Sequence, residues 1–160
     1  MSTPTTNVPH LDSRLLKFSQ FWTVLLSGLA FVLQQPVLTL IGAVVLTISA
    51  IAPQVGPFRL LYRGVVVPLH LLRPHIVEDD PAPHRFAQGV GAVFLIAASV
   101  ALFPLHLSLL GWALDLIVFA LAGINFTVGF CAGCFVYYHL GRLGITPRVR
   151  YAGSFRWRGA

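Results

Sequence analysis

Two cysteines separated by two residues are the side chains of this sequence best suited to covalent chemistry. Cys131 and Cys134 are the only cysteines in the 160-residue chain. Such a pair can act as a redox or sulfur-handling dithiol, in which one thiolate attacks and the other resolves the intermediate. It can also supply two ligands to a metal ion, or serve as two small packing residues. All three alternatives are open from the spacing alone.

The surroundings of the pair bear on these alternatives. Both cysteines fall in the last third of a long apolar run, residues 107–140, which predicts one membrane-spanning helix. Residues three apart share a helix face, and Tyr138 would continue the face of the cysteines. The C-terminal end of a helix disfavours a thiolate, although Arg142 could offset this. Cytoplasmic thiols are normally kept reduced, so a permanent disulfide is not expected.

A metal site is not predicted, because zinc usually takes four ligands in structural sites and only one such cysteine pair is present. His84 or His139 would have to complete the set. Gly129 and Gly133 form a small-xxx-small pattern beside the cysteines, which favours close helix packing. The sequence identifies no cofactor.

Composition places the chain in a membrane. It is 56% hydrophobic and 10% charged, whereas soluble domains have about 25% charged residues. The predicted fold is therefore all-α: a polytopic membrane protein with four transmembrane helices and an interfacial helical segment. We expect a flexible N-terminal arm over 1–11, a membrane domain over 12–143 and a basic cytoplasmic tail over 144–160. The predicted spans are 14–33, 37–52, 85–103 and 107–140.

The interfacial segment, residues 57–75, is apolar but too short and too charged to cross a bilayer. On a helix, Arg59, Arg63 and Arg73 would share a face directed at lipid headgroups. Pro68 should kink or split this helix. A pair of short helices packed under the bundle is the alternative.

The positions of the cations predict the orientation. With four spans, all eleven Lys and Arg residues fall on the side of the termini. The positive-inside bias then makes both termini cytoplasmic in a bacterial inner membrane. The tail interleaves arginines with aromatic residues, which we assign to the membrane surface rather than to nucleic acid. The arginines assigned to the surface are Arg59, Arg63, Arg73, Arg148, Arg150, Arg156 and Arg158.

Two polar residues lie inside the fourth predicted span. Asp115 could belong to a proton relay, but its closeness to the outer turn favours a place at the interface, in reach of water. Asn125 lies deeper and is expected to be buried, forming a hydrogen bond to Gln20, a neighbouring span or a ligand.

Several segments together resemble a bacterial membrane family of unknown function, domain-of-unknown-function family forty-three ninety-five. They are His84-Arg85-Phe86-Ala87-Gln88, then Asn125, then Phe130-Cys131-Ala132-Gly133-Cys134, and Tyr138. The resemblance covers about residues 10–143 and implies a bacterial inner-membrane protein without an established activity. If the two motifs meet at the cytoplasmic surface, His84, Arg85 and Gln88 surround the cysteine pair.

Two functional hypotheses follow. In the first, Cys131 and Cys134 exchange electrons or sulfur with a cytoplasmic thiol carrier, with His84, Arg85, Gln88, Asn125 and Tyr138 supporting the site. In the second, the chain is a non-catalytic accessory subunit that docks on a larger membrane complex through its glycine-rich faces and its basic tail. A small-molecule transporter is weaker, because the spans carry little polar lining. The expected surroundings are a lipid bilayer and a protein partner.

Overall fold

The structure, a computed structural model, describes residues 10–68, 76–78 and 81–144. Helices dominate this part of the chain, and a ribbon of two short strands accompanies them. In chain order the elements are β1 (His10–Asp12), α1 (Ser13–Val32), α2 (Pro36–Ile51), α3 (Pro57–Leu61), a π-helical turn (Tyr62–Val66), β2 (Ile76–Glu78), α4 (Pro81–Leu102), α5 (Ser108–Val128) and α6 (Ala132–Arg142).

Four helices form a closed antiparallel bundle. Helix α1 packs against α2 and α5, and α4 packs against the same two helices from the other side. The ring pairs Phe21–Phe126 and Phe31–Trp112 show that α1 and α5 run in opposite directions. The starts of α1 and α4 therefore meet the ends of α2 and α5 at one end of the bundle, which we call the cysteine end.

The bundle has the surface of a membrane protein. Helices α1, α4 and α5 are each long and apolar enough to cross a bilayer, and α2 is a shorter apolar helix. Large apolar side chains point outward, among them Val93 and Leu109, which are 65% and 87% exposed. Inside, Thr23 and Ser99 donate their hydroxyl hydrogens to helix carbonyls four residues earlier. This local bonding satisfies buried hydroxyls where water is scarce.

The predicted fourth span is wrong as a single helix, because residues 107–140 form two helices. Helix α5 ends at Gly129, which adopts the left-handed conformation (φ 74°), and the Gly129 N–H bonds to the Asn125 carbonyl. Glycine pays no steric cost in this conformation, which explains the stop. At Cys131 the backbone is extended, and α6 begins one residue later. With 11 residues, α6 is too short to cross a bilayer.

The start of the third predicted span also differs. Helix α4 begins at Pro81, four residues before the predicted start, and its first turn includes Pro83. Proline is tolerated there because the first N–H groups of a helix have no partner within it.

The segment after α2 is helical as far as the structure describes it. Phe58, Tyr62 and Val66 are buried at a spacing of four residues, and the Tyr62 ring lies 5.6 Å from Phe18. This stripe packs under the bundle, as in the alternative interpretation, while Arg63 stays exposed. The rest of the predicted interfacial segment, residues 69–75, lies outside the described residues.

A short antiparallel ribbon, not predicted from the sequence, joins the N-terminus to the segment before α4. His10 pairs with Glu78 and Asp12 with Ile76. The N-terminal arm predicted over 1–11 therefore ends in a strand, and residues 1–9 lie outside the described part of the chain. The ribbon places its two strands near the starts of α1 and α4, at the cysteine end.

Candidate functional site

Cys131 and Cys134 are joined by a disulfide at the start of α6. Their Cα atoms are 5.2 Å apart, and the two residues are 5% and 9% exposed. The sequence argued against a permanent disulfide, and the structure holds the pair in its disulfide form. The proximity itself follows from the helix start, because residues at the N-cap and the third helical position lie on the same turn.

The helix start reverses the predicted electrostatics of the pair. Cys131 is the N-cap of α6, and its sulfur accepts a hydrogen bond from the Cys134 N–H at 3.2 Å. The N-terminus of a helix carries partial positive charge and stabilises a thiolate. The prediction of an unfavourable helix C-terminus was wrong because α5 ends at Gly129, two residues before the pair, and a new helix begins with Cys131 as its N-cap.

His84 reaches the pair from α4. Its Nδ1 atom lies 3.6 Å from the Cys134 Sγ, and the residue is buried. A close approach of α6 to α4 makes this contact possible. A Cβ atom added at Gly133 would lie 2.5 Å from the Ala87 Cβ and 2.7 Å from the Ala87 Cα, so no larger residue fits there. The imidazole is thus placed to exchange a proton with Cys134.

A cavity of about 120 Å³ lies beside the disulfide, between α1, α4 and α5. Cys131 and His84 form part of its wall. Three amide side chains, Gln20, Gln88 and Asn125, also line it. The Asn125 Oδ1 atom is buried and has no hydrogen-bond partner among the described residues. The site therefore combines a disulfide, an imidazole and polar side-chain atoms around a space that a small group can occupy.

The structure assembles only part of the predicted set. His84, Gln88 and Asn125 meet the cysteines around the cavity, whereas Arg85 does not. The Arg85 guanidinium donates hydrogen bonds to the carbonyls of Ala50 and Ile51 at the end of α2, at 3.2–3.4 Å. A cation at a helix C-terminus stabilises that helix.

Tyr138 lies four residues after Cys134 on α6 and therefore shares a helix face with it, whereas Cys131 precedes the helix. Tyr138 is half-buried, and the cavity wall described above does not include it. Its neighbour Tyr137 is buried instead, with its ring 5.4 Å from Phe86. Sequence reasoning missed Tyr137 and gave Gln20 only as a bonding partner for Asn125.

Three donor atoms at the site could hold a metal ion. The ring nitrogen of His84 and the sulfurs of Cys131 and Cys134 all lie within 4.8 Å of one another. His139, the other histidine considered, is exposed, and its Nδ1 lies 3.0 Å from the Phe135 carbonyl. Of the two candidates, only His84 belongs to the cluster.

A second buried polar cluster lies towards the opposite end of the bundle. Asp115 on α5 is 0% exposed, which contradicts the predicted place in reach of water. Its neighbours are Ser27 on α1 and Thr39 on α2, both buried. Neither carboxyl oxygen has a hydrogen-bond partner of good geometry among the described residues. The prediction was wrong because it relied on the distance of Asp115 from the outer turn. A residue seven positions after the start of a helix can still face the centre of the bundle.

The described cations lie near the cysteine end. Arg14 and Lys17 lie within the first five residues of α1, Arg85 is the fifth residue of α4, and Arg142 is the last residue of α6. Arg59, which follows α2, donates to the Pro53 carbonyl at 3.3 Å. Arg63, also assigned to the membrane surface, is exposed. The remaining five arginines of that set lie outside the described residues: Arg73, Arg148, Arg150, Arg156 and Arg158.

Fold and site together define a class: small multi-helix membrane proteins with a buried Cys-x-x-Cys pair at a helix N-terminus. A family model described as Domain of unknown function (DUF4395) matches residues 11–142, a range that contains the bundle and all the site residues. The chain belongs to this family, which confirms the resemblance. Comparisons with curated proteins and with solved structures gave no match.

Proposed function

We propose that this protein is a membrane-embedded thiol-disulfide exchange protein in which Cys131 and Cys134 alternate between disulfide and dithiol. The observation that carries the proposal is the position of the pair. Cys131 caps the N-terminus of α6 and lines a cavity, while Cys134 lies 3.6 Å from the His84 imidazole. A packing role for the cysteines would need neither a cavity nor a proton-exchanging neighbour.

We assign a different role to each sulfur from its position in the site. Cys131 is the sulfur that a reactant meets, since it is the one that lines the cavity. The Cys134 N–H and the start of α6 stabilise its thiolate. Cys134 is the resolving sulfur, and His84 is the catalytic acid-base group that exchanges its proton.

The reaction with a carrier dithiol then proceeds in two steps. A carrier thiolate attacks the Cys131 Sγ, the bond to Cys134 breaks, and the departing Cys134 thiolate takes a proton from His84. The second carrier thiol loses its proton and attacks the mixed disulfide, which releases the Cys131 thiolate. Two electrons pass from the carrier, now a disulfide, to the protein. Of the two protons that the carrier thiols lost, one reprotonates His84 and the other protonates the released Cys131 thiolate, so electrons and protons balance.

The predicted orientation would place this exchange at the cytoplasmic side of a bacterial inner membrane. The supporting observation is that the connections at the opposite end, residues 33–35 and 103–107, contain no Lys or Arg. The described cations lie near the cysteine end, and positive charge marks the cytoplasmic side. The carrier would accordingly be a cytoplasmic dithiol.

The accessory-subunit hypothesis receives less support from the packing. It relied on glycine-rich faces as docking surfaces, but two of these glycines are used within the chain. Gly133 faces Ala87, and an added Cβ at Gly91 would lie 3.2 Å from Leu46.

Trapping of mixed disulfides tests the proposal. The full chain in detergent would be prepared as Cys134→Ser and, separately, as Cys131→Ser, and each would be incubated with glutathione disulfide. We expect the Cys134→Ser protein to accumulate a glutathione adduct at least about tenfold faster, because Cys131 lines the cavity and its thiolate is stabilised. Intact mass measures the adduct, and with two cysteines in the chain each adduct has one possible position.

Two controls make the trapping experiment interpretable. Serine is a favourable N-cap, so Cys131→Ser preserves the start of α6. The same variants unfolded in sodium dodecyl sulfate should react at similar rates, which separates the effect of the fold from that of the thiols. The proposal fails if the disulfide of the folded wild-type protein resists reduction, or if neither single-cysteine variant forms an adduct.

A further inference from the structure

The cluster of Cys131, Cys134 and His84 has a second use once its disulfide is reduced. We propose that the dithiol form binds a thiophilic divalent cation of the Zn²⁺ class through the two sulfurs and the His84 imidazole. The three donor atoms lie within 4.8 Å of one another, and all three residues are buried. The inference shares one requirement with the proposed function, which is that the disulfide can be reduced.

The backbone already holds the donors in place. Cys131 and Cys134 occupy one turn at the start of α6, with Cα atoms 5.2 Å apart. The Cys134 N–H points at the Cys131 sulfur at 3.2 Å, a bond that also supports a metal-bound thiolate. His84 comes from α4, and the contact of Gly133 with Ala87 fixes the distance between the two helices. A site held in this way needs little rearrangement to close around an ion.

Charge favours a divalent ion over a monovalent one. Two thiolates and a neutral imidazole bring two negative charges, which one divalent cation neutralises. Burying an uncompensated charge in an apolar surrounding is costly, so a neutral assembly suits a site whose ligands are at most 9% exposed. A monovalent ion such as Cu⁺ would leave one negative charge in the bundle.

The number of ligands points to an open coordination position. Zinc bound by three protein ligands keeps a fourth position for water or substrate. Cys131 and His84 also form part of the cavity wall, so the cavity has room for that fourth ligand. Gln20, Gln88 and Asn125 line the same space and can bond to a water there.

Oxidation and metal binding exclude each other at this site. Binding of the cation displaces one proton from each thiol, so two protons are released. The disulfide has no thiolate to offer a metal. When glutathione disulfide oxidises the metal-bound pair, two electrons pass to glutathione. Two glutathione thiols form with two protons from solution, the Cys131–Cys134 bond forms, and the cation leaves.

Cadmium titration of the full chain in detergent tests the proposal. The protein would be reduced with a phosphine, freed of reductant and titrated with Cd²⁺, and the sulfur-to-cadmium charge-transfer absorption would be recorded. We expect one Cd²⁺ per chain and no band in the oxidised protein. The band should disappear at stoichiometric Cd²⁺ in Cys131→Ser. His84→Gln should weaken binding at least about tenfold.

Controls make each result decisive. His139→Gln changes a histidine on α6, the helix that carries Cys134, but outside the cluster, and should leave the titration unchanged. Size-exclusion chromatography and helical circular dichroism would show that each variant is folded. Zn²⁺ should compete with Cd²⁺ and, in addition, slow the alkylation of both cysteines.

The outcomes separate this inference from the proposed function. A reduced, folded protein that shows no band at stoichiometric Cd²⁺ but still cycles between dithiol and disulfide overturns the metal site alone. A band that His84→Gln does not weaken indicates a two-thiolate adduct and also overturns the three-donor site. A disulfide that cannot be reduced in the folded protein overturns both proposals.

Discussion

The bundle contains two buried polar clusters, and they differ in what surrounds them. At the cysteine end, a disulfide and His84 adjoin a cavity lined by amide side chains. Towards the opposite end, Asp115 lies between Ser27 and Thr39, and none of these three residues lines that cavity. Along α5, Asp115 and Val128 are separated by about 20 Å. The two clusters are therefore separate places in the same bundle.

The difference shows that burial of polar groups is not enough to define a reactive site. Asp115 is the more deeply buried group, yet it does not line the cavity described at the cysteine end. Cys131 is nearly as buried, but it borders a volume where a reactant can meet it. We therefore expect substitutions at the cysteine end to change the rate of thiol-disulfide exchange. Substitutions around Asp115 should change the stability of the protein at most.

Replacing His84 by Gln is expected to have the largest effect. Glutamine keeps much of the side-chain volume but cannot exchange protons, so thiol-disulfide exchange should slow by about 100-fold. The rate would be followed by quenched thiol labelling and mass spectrometry after addition of a dithiol. His139→Gln is the matched control, since that residue lies outside the cluster. Equal rates for wild type and His84→Gln would remove the proton-exchange role of His84.

Replacing Gly133 by Ala should have the second-largest effect, because the contact of Gly133 with Ala87 holds α6 against α4. The new Cβ would overlap Ala87, so α6 must move away from α4. We expect the free energy of unfolding to fall by about 1–3 kcal/mol. Exchange should also slow as His84 separates from Cys134. Unfolding by sodium dodecyl sulfate measures the first effect.

Gly123→Ala is the control for this change, because an added Cβ there meets nothing within 4 Å. It should leave the protein as stable as the wild type or raise its stability by up to about 1 kcal/mol, since alanine favours the helix. Similar losses in both variants would show that the contact of α6 with α4 does not control the site.

Replacing Asp115 by Asn tests the independence of the second cluster. The amide keeps the size of the carboxyl group and can bond to Ser27 and Thr39. We therefore expect the free energy of unfolding to change by no more than about 1 kcal/mol. The exchange rate at the cysteine end should stay the same. Slower exchange in Asp115→Asn would show that the two clusters are not independent. It would indicate that Asp115 takes part in proton movement between them.

Replacing Arg85 by Ala should have the smallest effect. Its guanidinium bonds to carbonyls at the end of α2 rather than to the cysteines. Loss of a cation at a helix C-terminus costs about 0.3–1 kcal/mol, so a small drop in stability is expected with unchanged exchange. A large loss of exchange would indicate that Arg85 acts at the cysteine site, as the sequence analysis predicted.

Much of the fold is visible in the sequence because membrane helices leave strong signals. Long apolar runs broken by prolines and glycines predicted the helices, with α1 and α2 displaced by one residue from their predicted bounds. The split of residues 107–140 was missed because apolar residues continue through the break. Gly129 was its only local sign, and cysteine is not among the usual N-cap residues.

The site was predictable only in part, because the helix break that forms it left almost no local sign in the sequence. The cysteines and His84 were found from residue type, spacing and resemblance, without knowledge that a helix begins within the cysteine motif. Arg85 bonds to the end of α2 instead, because residues that are neighbours in sequence need not point to the same place. Tyr138 follows Cys134 on α6, but it is not among the residues that line the cavity. The cavity depends on how α1, α4 and α5 pack, and no short pattern in a single helix records that packing.

The central claim is that the Cys131–Cys134 pair changes redox state within the folded membrane protein. Differential alkylation in native membranes tests it most directly, with one reagent applied before reduction and a heavier one afterwards. The proposal predicts that treatment with a dithiol or with glutathione disulfide shifts both cysteines together, as pairs of heavy or light labels on the intact chain. A labelling pattern that neither treatment changes, in a protein that remains folded, would contradict it.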